Sequence, residues 1–192
     1  MRLIVGISGA TGSIYGIRLL EVLNKLGVET HLVISEPAKR NIETETEYTV
    51  EYVEKLASYV YDNRDIGARI SSGSFPTDGM VVCPCSMKTA SAIAMSYNEN
   101  LITRAADVTL KERRKLVLVV RETPLHVGHL RRLLELAEAG AIILPPMPAF
   151  YHHPKTLDDI INHTVGRVLD QFKIEHGLFR RWEGIPLQTE KL

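Results

Sequence analysis

Five short apolar runs recur along the chain, each about the length of a strand: residues 3–7, 30–34, 80–83, 116–120 and 141–144. None alternates cleanly between apolar and polar positions. Continuous apolarity over so few residues predicts strands buried on both faces, as in a parallel sheet covered by helices. Between and after these runs the apolar positions recur at helical spacing, over 14–26, 50–61, 89–95, 127–139 and 157–172. The last stretch carries Leu157, Ile160, Ile161, Val165, Val168, Leu169 and Phe172 along one stripe. Strands alternating with helices predict a single α/β domain, Rossmann-like and doubly wound, over 1–183, with a tail at 184–192. No internal repeat or linker interrupts it.

In such sheets ligands bind beyond the carboxyl ends of the strands. Those ends carry small hydroxyl residues, an Arg-Glu pair and an aromatic–histidine loop. The first run ends in Ser8, Gly9, Ala10 and Thr11, and the second in Ser35. The third leads to Ser86, Met87, Lys88 and Thr89, and the fourth to Arg121 and Glu122. The fifth opens a loop containing Phe150, Tyr151, His152 and His153. All are expected on one rim. The turn at 9–13 joins a strand to a helix, so its free backbone N–H groups and the helix dipole suit a phosphate. Its pattern is Gly6-x-x-Gly9-x-x-Gly12, neither the dinucleotide fingerprint nor a P-loop. Glu36, just past the second run, keeps a dinucleotide open. The Ser- and Gly-rich segment 70–77 reads as an ordered loop near the site or as a plain surface loop.

Composition narrows the class. A chain of 192 residues suits one domain with a sizeable core. Lys and Arg number 23, as do Asp and Glu, so no net charge argues for nucleic acid or a membrane surface. No apolar stretch is long enough to span a bilayer. Met1-Arg2 runs directly into the first strand with no room for a signal peptide, which favours a cytoplasmic protein. Cys83 and Cys85 form neither a disulfide framework nor a zinc spacing. Adjacent His152 and His153 are poorly disposed to share one ion, so no metal is expected.

Six motifs occur in order along the chain. They are Gly-Ala-Thr-Gly-Ser at 9–13, Ser-Ser-Gly-Ser-Phe at 71–75 and Pro-Cys-Ser-Met-Lys-Thr at 84–89. Arg-Ala-Ala-Asp-Val at 104–108 with Leu-Lys-Glu-Arg-Arg at 110–114 follows, then Arg-Glu-Thr-Pro-Leu at 121–125 and Pro-Ala-Phe-Tyr-His at 148–152. Together they resemble the UbiX-type flavin prenyltransferases, from residue 2 to about 183. The resemblance implies an enzyme that joins the dimethylallyl group of dimethylallyl monophosphate to N5 and C6 of reduced FMN. It needs no metal, and the prenylated FMN goes to a UbiD-type decarboxylase. It also implies a homo-oligomer, typically a dodecamer, with sites built across subunits. A flavin-dependent decarboxylase acting directly on a small acid, and a non-catalytic FMN-binding subunit, are the other classes considered. Pro148 stands where the related cysteine decarboxylases are expected to carry Asn, which disfavours that branch.

The resemblance assigns flavin contacts to Gly9, Ala10, Thr11, Ser35, Ser86, Met87, Lys88, Thr89 and Arg121. Ser86 also suits a helix N-cap. Lys111, Tyr151 and Arg167 match the positions that grip the prenyl phosphate, where Arg offers a bidentate fork, Lys a compact charge and Tyr a phenolic donor. Taken alone, Lys111 and Arg167 read as solvated helix-face charges. Glu122 and Glu45 match acidic family positions suited to proton movement. The alternation Glu43, Glu45, Glu47 leaves the register of the second open. Trp182, in a charged tail, is placed to cover the site or a neighbouring subunit.

Overall fold

A computed structural model describes residues 1–184. Six strands form one parallel sheet: β1 (Arg2–Ile7), β2 (Glu29–Ile34), β3 (Tyr59–Asp62), β4 (Gly79–Cys85), β5 (Lys115–Val120) and β6 (Ile142–Ile143). Their spatial order is β3-β2-β1-β4-β5-β6. The chain winds outward from β1 to β3, returns to β4 on the other side of β1, and winds outward to β6. The reversal leaves a switch point between β1 and β4, where a crevice opens at the strands' carboxyl ends.

The helices are α1 (Ser13–Lys25), α2 (Glu36–Glu45), α3 (Val50–Lys55), α4 (Met87–Ala94), α5 (Leu101–Lys111), α6 (Val127–Glu138) and α7 (Leu157–Gln171). Although the strands read as unbroken apolar runs, their side chains still alternate between two cores. Leu3, Val5 and Ile7 of β1 join the cluster beneath α1, α2 and α7. Ile4 joins the opposite cluster, beneath α4, α5 and α6. No helix among the described residues is long and apolar enough to cross a membrane. The expected tail lies, from residue 185 on, outside the described residues.

The expected helix over 50–61 is two elements, α3 and β3. Val50, Val53 and Val60 keep helical spacing, which hides the break. As an edge strand, β3 leaves Tyr59 and Val60 exposed, so no continuous apolar run announces it. Helix α2 buries only Ala38 and Ile42, too few for a periodic signal. Helix α5 starts at a capping box between Asn100 and Thr103.

Candidate active site

At the carboxyl ends of β1 and β4, a cleft of about 450 Å³ has Gly9, Ser35, Ser86, Thr89 and Asn100 in its wall. Three of these residues cap helices. Ser35 Oγ accepts from Ala38 N at 3.3 Å, Ser86 Oγ from Thr89 N at 3.2 Å, and Asn100 Oδ1 from Thr103 N at 3.1 Å. The starts of α2, α4 and α5 therefore meet at one crevice. Each brings backbone N–H groups without intrahelical partners and positive partial charge, so their convergence favours an anion. Ser8 ties the two central strands together here. Its Oγ accepts from Ser86 N at 2.8 Å and donates to Pro84 O at 3.1 Å. At Gly9 a Cβ would lie 2.5 Å from Pro37 Cβ, so only glycine allows α2 to close against this turn.

The turn itself differs from the expectation of a free anion cradle at the start of α1. Gly12, at φ 95°, holds a left-handed conformation that glycine adopts without strain. The N–H groups of Gly12 and Ser13 both donate to Glu45 Oε2, at 2.8 and 3.2 Å. A carboxylate from the end of α2 thus already occupies the amino end of α1. Of the three alternating acids Glu43, Glu45 and Glu47, it is Glu45 that faces the turn. Asn41 donates to Ala10 O at 3.0 Å and fixes the turn from the same helix. The positive helix ends left facing the crevice are those of α2, α4 and α5.

The residues at 86–89 divide by role. Ser86 Oγ also donates to Thr89 Oγ1 at 3.1 Å, so both hydroxyls sit together at the start of α4. The Met87 side chain is buried in the core, so toward a ligand it has only its backbone N–H to offer. Lys88, largely exposed, pairs with Glu99 at 3.1 Å, and both line the same cleft. Arg121 N donates to Cys85 O, which ties the ends of β4 and β5 together. The Arg121 charge is felt at Tyr15 in the first turn of α1, where it opposes an upward shift caused chiefly by burial. Arg121 therefore belongs to the same rim as the 9–13 turn. Glu122 beside it is exposed, with Oε1 accepting from Thr123 N at 3.1 Å.

Lys111, Tyr151 and Arg167, expected to grip the prenyl phosphate, are not gathered at this crevice within one chain. Helix α5 runs antiparallel to β5, from Leu101 near the rim to Lys111 at the strands' amino ends. Lys111 pairs with Glu112 against Gly73 in the Ser-rich loop. Arg114 holds that loop by donating to Phe75 O and Gly73 O at 2.8 and 2.7 Å. The charged run at 111–115 is therefore anchored rather than simply solvated. It lies one strand length, about 20 Å, from the crevice. The 70–77 loop, for which a place near the site and a plain surface loop were both open, shares the far rim with Lys111. Tyr151 and Arg167 form a third group beyond the free edge of β6. Tyr151 OH lies 2.9 Å from His163 Nε2, and Arg167 pairs with Asp170 at 3.3 Å. Ser8 was expected only as a strand end on the rim, and Asn41, Asn100 and His163 were not foreseen. Of these, only the Asn100 capping box left a readable signal. Among the described residues, no group of three or more His, Cys, Asp or Glu is placed to hold a metal ion.

A cleft of this size, with hydroxyls and helix starts at one end, fits a phosphorylated flavin. Comparison with known proteins agrees. The sequence profile of the family described as Flavoprotein matches residues 1–169. The chain is 60% identical to a flavin prenyltransferase UbiX of Thauera aromatica, over 96% of this chain and 95% of that one. It is 61% identical to the protein of that name in Salmonella typhimurium, over 95% and 98% of the two chains. A dodecameric FMN-dependent UbiX-like decarboxylase from Escherichia coli O157:H7 superposes with a TM-score of 0.94 at 55% identity, covering 96% of this chain and 100% of that one. AnUbiX, solved in complex with FMN and dimethylallyl pyrophosphate, also gives 0.94, at 52% identity over 96% and 98%.

Proposed function

We propose, for a chain that belongs to the UbiX flavin prenyltransferases of the Flavoprotein family, that it joins the dimethylallyl group of dimethylallyl monophosphate to N5 and C6 of reduced FMN. The observation that carries the reading is the meeting of three helix starts with Gly9, Ser35, Ser86 and Thr89 at the switch point. Bound reduced FMN supplies the two nucleophilic ring positions. The protein does the rest by holding and by moving charge. Ser35, Ser86 and Thr89, with the N–H groups of Met87 and Lys88, are the donors we assign to the FMN phosphate. Gly9, Ala10, Thr11 and Arg121 are assigned to the remainder of the flavin.

We assign Lys111, Tyr151 and Arg167 to the prenyl phosphate. Fixed cations lower the barrier by stabilising charge on the leaving phosphate as the allyl group departs. The distance between the Lys111 rim and the crevice supports a site completed by Lys111 from another copy of the chain. The dodecameric relative supports the same assembly for this chain. Glu122, on the rim, is assigned to accept the proton lost when the ring closes onto C6. Glu45 keeps its assignment as an acid near the reaction, beside its hold on the glycine turn. A UbiD-type decarboxylase is the proposed recipient of the product, and the cytoplasm the proposed location. Direct decarboxylation of a small acid has less support, because the relatives at 60–61% identity are named prenyltransferases and Pro148 departs from the cysteine decarboxylases, although one structural relative at 55% identity carries the name decarboxylase.

Equilibrium titration tests the phosphate assignment. FMN should bind more tightly than riboflavin, and Ser86→Ala should shrink that preference. Equal affinity for the two flavins would refute a phosphate pocket.

A further inference from the structure

Helix α7 carries more than Arg167 on the face turned toward the 145–156 loop. His163, Gly166, Arg167 and Asp170 recur at helical spacing along that face. His163 is 7% exposed, and its Nε2 lies 2.9 Å from Tyr151 OH. His152 stacks on its ring at 4.9 Å with planes 7° apart, and Phe179 leans on it at 4.6 Å. Gly166 provides the slot for that covering segment, since a Cβ there would lie 2.5 Å from Phe179 and 2.6 Å from His176. Asp170 fastens the segment, pairing with His176 at 3.1 Å and Arg181 at 2.7 Å as well as with Arg167. The imidazole is therefore clamped on two sides, with one nitrogen aimed at the phenol.

We propose that His163 is a positioning residue for Tyr151, donating from Nε2–H to the phenolic oxygen so that the Tyr151 O–H is left to donate to the prenyl phosphate. This deepens, and rests on, the assignment of Tyr151 to that phosphate. The chemistry is one of direction. A phenol has a single proton to give. If Nε2 lacks its proton, Tyr151 donates to His163 and turns only lone pairs outward, toward an anion that needs a donor. If Nε2 carries the proton, the phenol accepts from it, and its own O–H is free for phosphate. A bound anion selects the second arrangement, and the stacked His152 and Phe179 hold the ring where it works. Burial, with the charges of His152 and Arg167, disfavours the imidazolium, so tautomer choice rather than charge sets the donor.

The test is binding of dimethylallyl monophosphate to the protein loaded with oxidised FMN, measured by calorimetry so that turnover plays no part. His163→Leu should weaken binding by roughly five- to tenfold, the worth of one hydrogen bond, with FMN affinity unchanged. His163→Gln, which keeps an N–H donor near the Nε2 position, should recover most of the loss. Adding His163→Leu to Tyr151→Phe should weaken binding no further than Tyr151→Phe does alone. Parental binding by His163→Leu while Tyr151→Phe is impaired would overturn this proposal alone. Additive losses, or a Gln variant as weak as Leu, would also overturn it, since they mark a general packing role. Parental binding by Tyr151→Phe would overturn the phosphate assignment of Tyr151 and the proposal with it.

Discussion

Replacing Glu45 tests whether the glycine turn is held from α2. Its Oε2 accepts from Gly12 N at 2.8 Å and from Ser13 N at 3.2 Å, so it caps α1 with a full negative charge. Losing a helix cap costs about 0.5–2 kcal/mol. The dipole interaction at an exposed amino end contributes about 0.3–1 kcal/mol. Glu45 is exposed, so salt and water screen the second contribution, and Glu45→Ala should cost about 1–2 kcal/mol in all. For a chain of this size that lowers the melting temperature by about 2–8 °C. Glu45→Gln keeps an acceptor and loses only the charge, so it should fall between parent and Ala, and closer to the parent in 1 M salt. Because the turn forms part of the crevice wall, Glu45→Ala should also weaken FMN binding several-fold. Urea unfolding with unchanged slope reads the first effect, and flavin titration reads the second. A Glu45→Ala variant that unfolds with the parent and binds FMN equally would refute the capping geometry.

Two other outcomes follow. Lys111→Ala and Glu122→Gln subunits should each turn over slowly, whereas oligomers reassembled from their mixture should regain activity, because some sites would combine an intact Lys111 with an intact Glu122. Mixtures no faster than the average of the two variants would contradict a site shared between copies. Stability should fall as pH drops from 7 to 5, read as the urea midpoint. His31, fully buried in β2, and His163 are both lowered from the ordinary histidine range, chiefly by burial, with Glu29 partly opposing the shift at His31. The unfolded chain therefore gains protons in that window that the folded chain does not, and stability is lost. Glu29, held to about 2 foremost by its hydrogen bond from Arg2, gives up its contribution only as pH falls below the ordinary carboxylate range near 4.5. A midpoint flat between pH 7 and 5 would contradict the buried neutral histidines.

Much of the fold was legible because burial on both faces leaves a simple mark. The runs that became β1, β4, β5 and β6 are apolar, that of β2 is so beyond Thr30 and His31, and α1, α6 and α7 show wide apolar stripes. Strand β3 was hidden because an edge strand is half exposed and Val60 continued the spacing of α3. Helix α2 was hidden because it presses only two side chains into the core. That the carboxyl ends of the strands share one rim was legible for the related reason that they must lie together in this topology. The seating of Glu45 on Gly12 and Ser13 was not, since it depends on where a mostly polar helix ends. Nor could spacing show that Lys111 leaves the crevice behind. That follows from α5 running antiparallel to β5, which carries its last residue to the opposite rim. His163 was silent because a lone histidine in an amphipathic helix has no pattern of its own.

The most direct test of the account is mass spectrometry of the flavin after anaerobic incubation of the protein with reduced FMN and dimethylallyl monophosphate, without added metal. The account predicts a flavin heavier than FMN by one prenyl unit, bearing a fourth ring between N5 and C6, formed together with free phosphate. Recovery of FMN unchanged, from protein shown to bind both ligands, would contradict it.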